Sequence, residues 1–491
     1  MQWNRLNFAD NQGLARSTSA PFLPARGGMV RFMLAIDNFD HLSLAYGSST
    51  AALAVTRFRE VIREWLGERA ELHFESGGIF YGTLHPQPTV QGAPAGFGTA
   101  RPKPDGLAQG SAHRAVNRLL INPPLVTLDH GSEVICLSIS GTWAVHDGEA
   151  PDPAEGFDGG CRVPFHGALP GRGIAWTAQY RADMAKAASV LAAIDRYNTP
   201  ANTSASAPAL AYSTAGPVFR AEGSADQSAN AHRNRSETVA EQLVFAWHAV
   251  RDGRLGQDVL YYEMCPQLIG ADGARSSLAE LRPALERLGL AVMLDCYLVE
   301  HAISLLEADP DVALSVQISA QSASACARWG DVFRRLMGSR GLAARLTVAI
   351  AESANFPDFA EAIQFVSRLQ AFGSAVAVDN FGLGYTSIRE LLALSPDIVC
   401  IDPFFVRHGC RDAPEGAVLG HLAGLGALLA NTVVVKGVAN ERQSRLALEA
   451  GIRWQQGDFL GAPTIGRPWA SGVPGRSCHL QQRTARRSRA A

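Results

Sequence analysis

Two α/β domains are predicted, a mixed-sheet domain followed by a closed parallel barrel, on three observations. The chain has 491 residues, beyond the usual ceiling for one hydrophobic core. A stretch dominated by Ala, Ser and Asn, from Asn198 to Arg235, has few residues able to build a core and divides the chain. Beyond it, short apolar runs alternate regularly with helical stretches, the rhythm of strands that run parallel beneath outer helices.

In the first part the order reads strand, helix, strand, helix, strand, strand, helix. Arg31 to Ile36 carries Phe32, Met33, Leu34 and Ile36 and suits a buried strand. Ala51, Ala54, Val55, Phe58, Val61, Ile62, Trp65 and Leu66 recur at helical spacing over Ala51 to Leu66. Ile79 to Leu84 is a second apolar run, entered through Gly77 and Gly78. Leu125 to Leu128 and Glu133 to Ile139 flank Asp129-His130-Gly131, a hairpin signal. Gln179 to Ile194 closes the domain as a helix. The expected bounds are 27–196, with Gly- and Pro-rich insertions near 86–110 and 148–173 and a linker over 197–236.

In the second part, 237–470, strands are expected at Ala313–Ile318, Leu346–Ile350, Ala375–Val378, Ile398–Ile401 and Thr432–Val435. Helical stretches lie at Phe359–Phe372, Arg389–Leu394, Gly416–Leu429 and Glu441–Ala450. An open doubly wound sheet is the alternative, but the Gly-rich phosphate loop such sheets often use is missing.

Lys+Arg 44 against Asp+Glu 46 is nearly balanced, which argues against a nucleic-acid or general membrane binder. Eight cysteines lie scattered without CxxC or Cys/His ligand spacing, which predicts reduced thiols, no structural zinc, and the cytoplasm. Met1 to Arg16 lacks the apolar core of a signal peptide. Leu419 to Val435 is too short for a membrane span and reads as a buried helix running into a strand. The tail, 471–491, is rich in Arg without an acidic residue and is expected to be disordered.

Residues at the carboxyl ends of the barrel strands carry a resemblance. Asp379-Asn380-Phe381-Gly382-Leu383-Gly384-Tyr385 follows an apolar strand at once and resembles the DDFGxGY motif of the EAL family. Other motifs follow the family's order. Tyr262-Glu263-Met264-Cys265 stands at the Glu-Ala-Leu position, Ser315-Val316-Gln317-Ile318-Ser319 at SVNLS and Ala349-Ile350-Ala351-Glu352-Ser353 at EITES. Cys400-Ile401-Asp402, Lys436-Gly437-Val438-Ala439 and Gln456-Gly457 resemble KID, EGVE and the late QG. The resemblance implies a (β/α)8 TIM-like barrel that hydrolyses cyclic di-GMP with two divalent metals.

Against that pattern, several functional positions have changed. Glu263 and Asp379 remain as carboxylates, and Glu352, which anchors the loop after the paired aspartates in the family, is kept with Asp402. The ligand Asn is Gln317, a ligand Glu is Ala349, the second Asp is Asn380 and the catalytic Lys is Cys400. The first Glu of EGVE is Lys436 and the last is Ala439. The ligand-contacting Arg after the EAL motif corresponds to Gln267, and the Gln opening the first barrel strand to Trp247, beside His248. Two divalent cations need several carboxylates, and an ammonium at 436 repels each unit of cationic charge by about 4 kcal/mol at ~4 Å in a surface-like dielectric. Lys436 is therefore expected to take the vacated place and pair with Glu263 or Asp379. For Cys400 a packed thiol is expected, for Asp402 a helix cap or surface ion pair, for His248 a barrel-core role.

Ahead of the linker, Gly77-Gly78-Ile79-Phe80-Tyr81 resembles the GGDEF motif of diguanylate cyclases with its acidic pair replaced. Ala35-Ile36-Asp37-Asn38-Phe39 resembles the family's DxDxF run without its first Asp, and Ser43 and Ala52 fall where guanine contacts are made. Arg181-Ala182-Asp183-Met184-Ala185 resembles the closing ADxAMY segment. The resemblance is thus to a tandem GGDEF–EAL protein, degenerate in both domains. It implies a catalytically inactive member of cyclic-di-GMP-related bacterial signalling that works through contact with another signalling protein. Two alternatives stay open. One is a cyclic-di-GMP receptor without hydrolysis. The other is a weakly active phosphodiesterase using Mg²⁺ or Mn²⁺ on Glu263, Gln317, Asp379 and Asn380; otherwise no cofactor is expected. No diguanylate cyclase activity is expected, and a homodimer is the default by analogy.

Overall fold

A computed structural model describes residues 29–67, 70–74, 77–84, 116, 119, 126–131, 133–146, 174–198, 241–254, 258–270, 273–324, 327–351, 356–384, 386–408 and 413–471. The two expected insertions, the linker beyond Asn198, Glu352, Tyr385 and the tail beyond Ser471 lie outside the described residues. The chain divides into two compact units, one carrying the described residues up to Ala188 and the other those from Ser189.

The first unit is built on β1 (Met29–Ile36), α1 (Phe39–Tyr46), α2 (Ser48–Leu66), β2 (Ala70–Phe74) and β3 (Ile79–Leu84). β4 (Val126–His130), β5 (Glu133–Leu137) and β6 (Ile139–His146) follow, and then the helix α3 (Ile174–Asn198), whose residues from Ser189 belong to the second unit. Four strands form a sheet in the order β2-β3-β1-β6, and every pairing among them is antiparallel. Phe32, Leu34, Phe58, Ile62, Phe80 and Leu84 are fully or almost fully buried, so the apolar runs read from the sequence are the core. The expected hairpin is present: His130 pairs with Glu133 across a turn in which Gly131 takes φ 64°. α3 runs past the expected end of the domain to Asn198, so the first residues assigned to the linker are helical.

The second unit is the expected closed barrel. Its strands are β7 (Gln242–Asp252), β8 (Val259–Ile269), β10 (Leu314–Ser319), β11 (Leu346–Ala351), β12 (Ala375–Phe381), β13 (Ile398–Ile401), β14 (Thr432–Val435) and β15 (Trp454–Gln455), with β9 (Arg275–Ser277) and β16 (Thr464–Ile465) added at its rim. Pairing runs parallel from β8 through β15, and β7 closes the ring between β15 and β8. One strand departs from the all-parallel expectation: β7 is antiparallel to both neighbours. Only six residues separate it from β8, and a parallel partner would need a crossover of a dozen residues or more.

Between the strands lie α4 (Leu278–Arg287), α5 (Ala291–Ala308), α6 (Gly330–Gly338), α7 (Arg340–Ala343), α8 (Phe359–Phe372), α9 (Ile388–Leu394), α10 (Pro403–His408), α11 (Ala413–Leu429) and α12 (Glu441–Glu449). Side chains alternate across each strand, so one set fills the interior. Val250, Tyr261, Ala349, Ala377, Ile398, Cys400 and Val434 pack there as one cluster. The expectation of a wholly buried helix before β14 needs correction, because the outer face of α11 is exposed, with Leu428 at 83%. A barrel helix touches strands on one side only, whatever its composition. Among the described residues no helix is long and apolar enough to cross a membrane.

Candidate functional site

The polar ends of the strands meet in a cleft of about 250 Å³ lined by His248, Glu263, Gln317, Asp379, Lys436 and Gln456, among others. Each comes from a different strand or from the residue just beyond its end: β7, β8, β10, β12, β14 and β15 in turn. Along the parallel registers Glu263, Gln317 and Asp379 step forward by two residues from β8 to β10 and again to β12. Gln317 is paired with Ala349, Ser315 with Glu263, and Ala351 with Asp379.

Lys436 is the centre of the site. Its Nζ donates to Glu263 Oε1 at 2.8 Å and to Asp379 Oδ2 at 2.8 Å. The side chains of Lys436, Glu263 and Asp379 are 10%, 11% and 2% exposed, so solvent screens these contacts little. Burial alone would push the ammonium's pKa down, but Asp379 and Glu263 outweigh it and hold the group well above the ordinary lysine value. The pairing expected with one carboxylate or the other is made with both.

Every carboxylate oxygen of the pair meets a donor from the protein. Gln456 Nε2 donates to Glu263 Oε2 at 2.7 Å, and Gln317 Nε2 donates to Asp379 Oδ2 at 2.7 Å. Asp379 Oδ1 accepts the N–H of Asn380 at 3.0 Å. That last bond goes with a backbone turn: Asn380 has φ 62°, a left-handed conformation that Asn tolerates better than most side chains.

Other residues singled out in the sequence fall elsewhere. Ala349 and Cys400 are 2% and 0% exposed inside the barrel rather than on the cleft. Cys400 Sγ lies 3.7 Å from the Tyr261 hydroxyl, and burial pushes its thiol up to about 12, which fits packing rather than nucleophilic chemistry. Asp402 Oδ1 accepts from the N–H of Phe404 at the start of α10, a cap. Trp247 is buried away from the cleft and meets Trp469 edge to face with centroids 5.0 Å apart. Gln267 does not line the cleft either. His248 does: its Nε2 is buried without a hydrogen-bond partner, and burial lowers its pKa despite the nearby Glu263.

The sequence reading missed one buried network. Arg282 of α4 lines the cleft, forms an ion pair with Asp295 of α5 and donates to the Gln317 carbonyl at 3.0 Å. Asp295 also accepts from the N–H of Ser319 at 2.7 Å and the hydroxyl of Ser322 at 2.6 Å. A signal was available, since Asp295 is the acid inside the otherwise apolar run Ala291-Val292-Met293-Leu294-Asp295-Cys296.

In the first unit, Gly77 and Gly78 take φ 58° and 78° in the turn between β2 and β3. Phe80 is fully buried against Phe58, centroids 4.7 Å apart, and Ala35 is paired with Ile79 inside the sheet. Ile79 and Tyr81 are half-buried on β3.

Residues 232–463 match the model of the EAL domain family. The cyclic di-GMP phosphodiesterase PdeF of Escherichia coli is 24% identical over 208 residues, 42% of this chain and 28% of PdeF. MucR of Pseudomonas aeruginosa, a bifunctional diguanylate cyclase/cyclic di-GMP phosphodiesterase, is 25% identical over 186 residues, 37% of this chain and 27% of MucR. This chain therefore matches less than a third of the length of either relative. Among solved structures, Vibrio cholerae LapD S helix–GGDEF–EAL bound to c-di-GMP is similar with a TM-score of 0.43 and 13% identity, covering 89% of this chain and 90% of that one. With six site residues converging at the strand ends of a closed barrel, the stretch 232–463 is an EAL domain.

Proposed function

We propose that the chain is a non-catalytic component of cyclic-di-GMP signalling, whose EAL barrel acts through contact with another protein. One observation carries this reading: Lys436 Nζ stands 2.8 Å from both Glu263 and Asp379. The residues present do not fit a pair of divalent metals. Lys436 holds one oxygen of each carboxylate, Gln317, Gln456 and the Asn380 N–H take the remaining contacts, and Ala349 offers no donor. Among the described residues no group of three or more His, Cys, Asp and Glu side chains could hold a metal ion.

The first unit supports the same reading. Its resemblance to diguanylate cyclases keeps two turn glycines, while Phe80 and Ala35 stand in the core where metal carboxylates would be required. The dinucleotide is disfavoured as a ligand by charge: it brings two anionic phosphates to a cleft whose Lys436 is already matched by two carboxylates.

The test is a hydrolysis assay on cyclic di-GMP with Mg²⁺ and Mn²⁺, run beside calorimetric titrations of each metal and of the dinucleotide. No turnover and no tight binding are expected. Turnover above background would restore the phosphodiesterase reading, and dinucleotide binding without turnover would make the protein a receptor.

A further inference from the structure

The carboxyl ends of the barrel strands hold more than the polar cleft. Leu383 just beyond β12, Phe404 just beyond β13 and Phe459 just beyond β15 are 54%, 43% and 45% exposed. The segments that carry them touch one after another round the ring. A Cβ on Gly382 would meet the Phe405 ring at 2.6 Å, and one on Gly437 would meet Pro403 at 2.5 Å. The N–H of Phe459 donates to the Val438 carbonyl at 3.2 Å. Asn380, Pro403 and Gln456, each within three residues of one of these side chains, line the cleft. Three large apolar side chains thus form an arc beside its mouth.

Their setting is acidic. Asp458, next to Phe459, is exposed, and Asp402, two residues before Phe404, is half-buried. With Glu263 and Asp379 they make four carboxylates at this end of the barrel. Against them stand the ammonium of Lys436 and the guanidinium of Arg407, three residues beyond Phe404 on α10. Arg282 is matched by Asp295, and Arg389 on α9 lies beside Glu390.

We propose that the mouth of the barrel is where the protein partner binds, through a segment that presents an arginine or lysine flanked by apolar side chains. The inference rests on the reading of this chain as a component that acts by protein contact. Covering exposed apolar side chains is favourable, and the two aromatic rings supply much of the area here. Charge selects the sign of the partner, because like charges brought face to face cost free energy. The acidic balance therefore sets the mouth against a second copy of itself and against anionic lipid. Within the mouth the cation is placed at Asp458, since Glu263 and Asp379 already hold Lys436.

The test selects a phage-displayed library of random peptides on the full chain and measures synthetic copies of the enriched peptides by fluorescence anisotropy. Enriched peptides are expected to carry a cation between apolar residues. Leu383→Ser combined with Phe459→Ser abolishes their binding while the circular-dichroism spectrum stays that of the wild type, because both side chains are exposed. Asp458→Lys leaves the apolar arc intact and weakens binding by about tenfold. No enrichment, an acidic or uncharged consensus, or binding indifferent to these substitutions would each overturn the proposal. Those outcomes leave the non-catalytic reading standing, since turnover of cyclic di-GMP, which would remove it, is read in a separate assay.

Discussion

Lys436 reaches across the barrel from the end of β14 to Asp379 on β12, Nζ to Oδ2 at 2.8 Å, with Asp379 only 2% exposed. The same ammonium separates Asp379 from Glu263, so removing it leaves two buried carboxylates facing one another. Breaking a buried pair by deleting one partner typically costs about 3–5 kcal/mol. Lys436→Met is expected to lose about that much in urea unfolding. A loss under about 1 kcal/mol would mean the contact is solvated and structurally idle.

Reversing the charge asks whether the ammonium stands in for a cation. Lys436→Glu places a third acid beside Glu263 and Asp379, a set with the charge a hard divalent ion requires. The variant is expected to melt below the wild type without metal and to regain stability with Mn²⁺, while the wild type stays indifferent. Equal stabilisation of both proteins by Mn²⁺ would contradict the cation-replacement account.

His301 on α5 gives a prediction for acid. It stacks on Phe245 at 4.2 Å and is enclosed by Tyr197 and Tyr297, and burial, with Arg467 adding, lowers its pKa from 6.5 to about 4. The folded state therefore refuses a proton that the unfolded chain accepts. The stability this group supports is present above pH 6.5 and is lost as pH falls toward 4, by on the order of 3 kcal/mol at ~1.4 kcal/mol per pH unit. Melting curves of His301→Phe should show a smaller drop between neutral pH and pH 4 than those of the wild type. Parallel curves would refute this assignment.

Gly457 follows Gln456, and a Cβ there would sit 2.1 Å from the Val438 carbonyl oxygen and 2.4 Å from its nitrogen. Because backbone has to move, Gly457→Ala is expected to cost about 3 kcal/mol in chemical denaturation. Wild-type stability in this variant would show that the two segments separate easily.

In the first unit, writing an acid back into the glycine motif should fail. Phe80→Glu removes a fully buried ring from Phe58 and leaves a carboxylate in its place, at a cost of at least about 3–5 kcal/mol. Normal folding of this variant, read by circular dichroism, would show that the pocket is more open than its packing indicates.

Legibility in the sequence followed the range of the interaction. β14 was readable to the residue, because Thr432-Val433-Val434-Val435 combines branched side chains with burial. The end of β12 was placed too early: the apolar run stops at Val378, but the strand continues through Asp379 and Asn380 to Phe381, because pairing with Ala351 and Ile401 on the neighbouring strands holds the backbone extended there. β15 was not readable, since a two-residue strand has no period to detect. The antiparallel course of β7 and the Arg282–Asp295 pair were also missed, for neither leaves a local pattern.

By itself, then, the sequence determined two α/β units and the rhythm of the barrel, because periodicity and composition are local properties of the chain, while a site short of acids with a lysine in it was legible only through the resemblance of its motifs to the EAL family. Whether Lys436 would meet Glu263, Asp379 or both was decided only by the tertiary structure. Those residues are 173 and 57 positions away from it in sequence. Only the ordering of β8, β12 and β14 around the closed ring brings the three heads within 2.8 Å contacts, where exclusion of water makes their charges strong enough to hold.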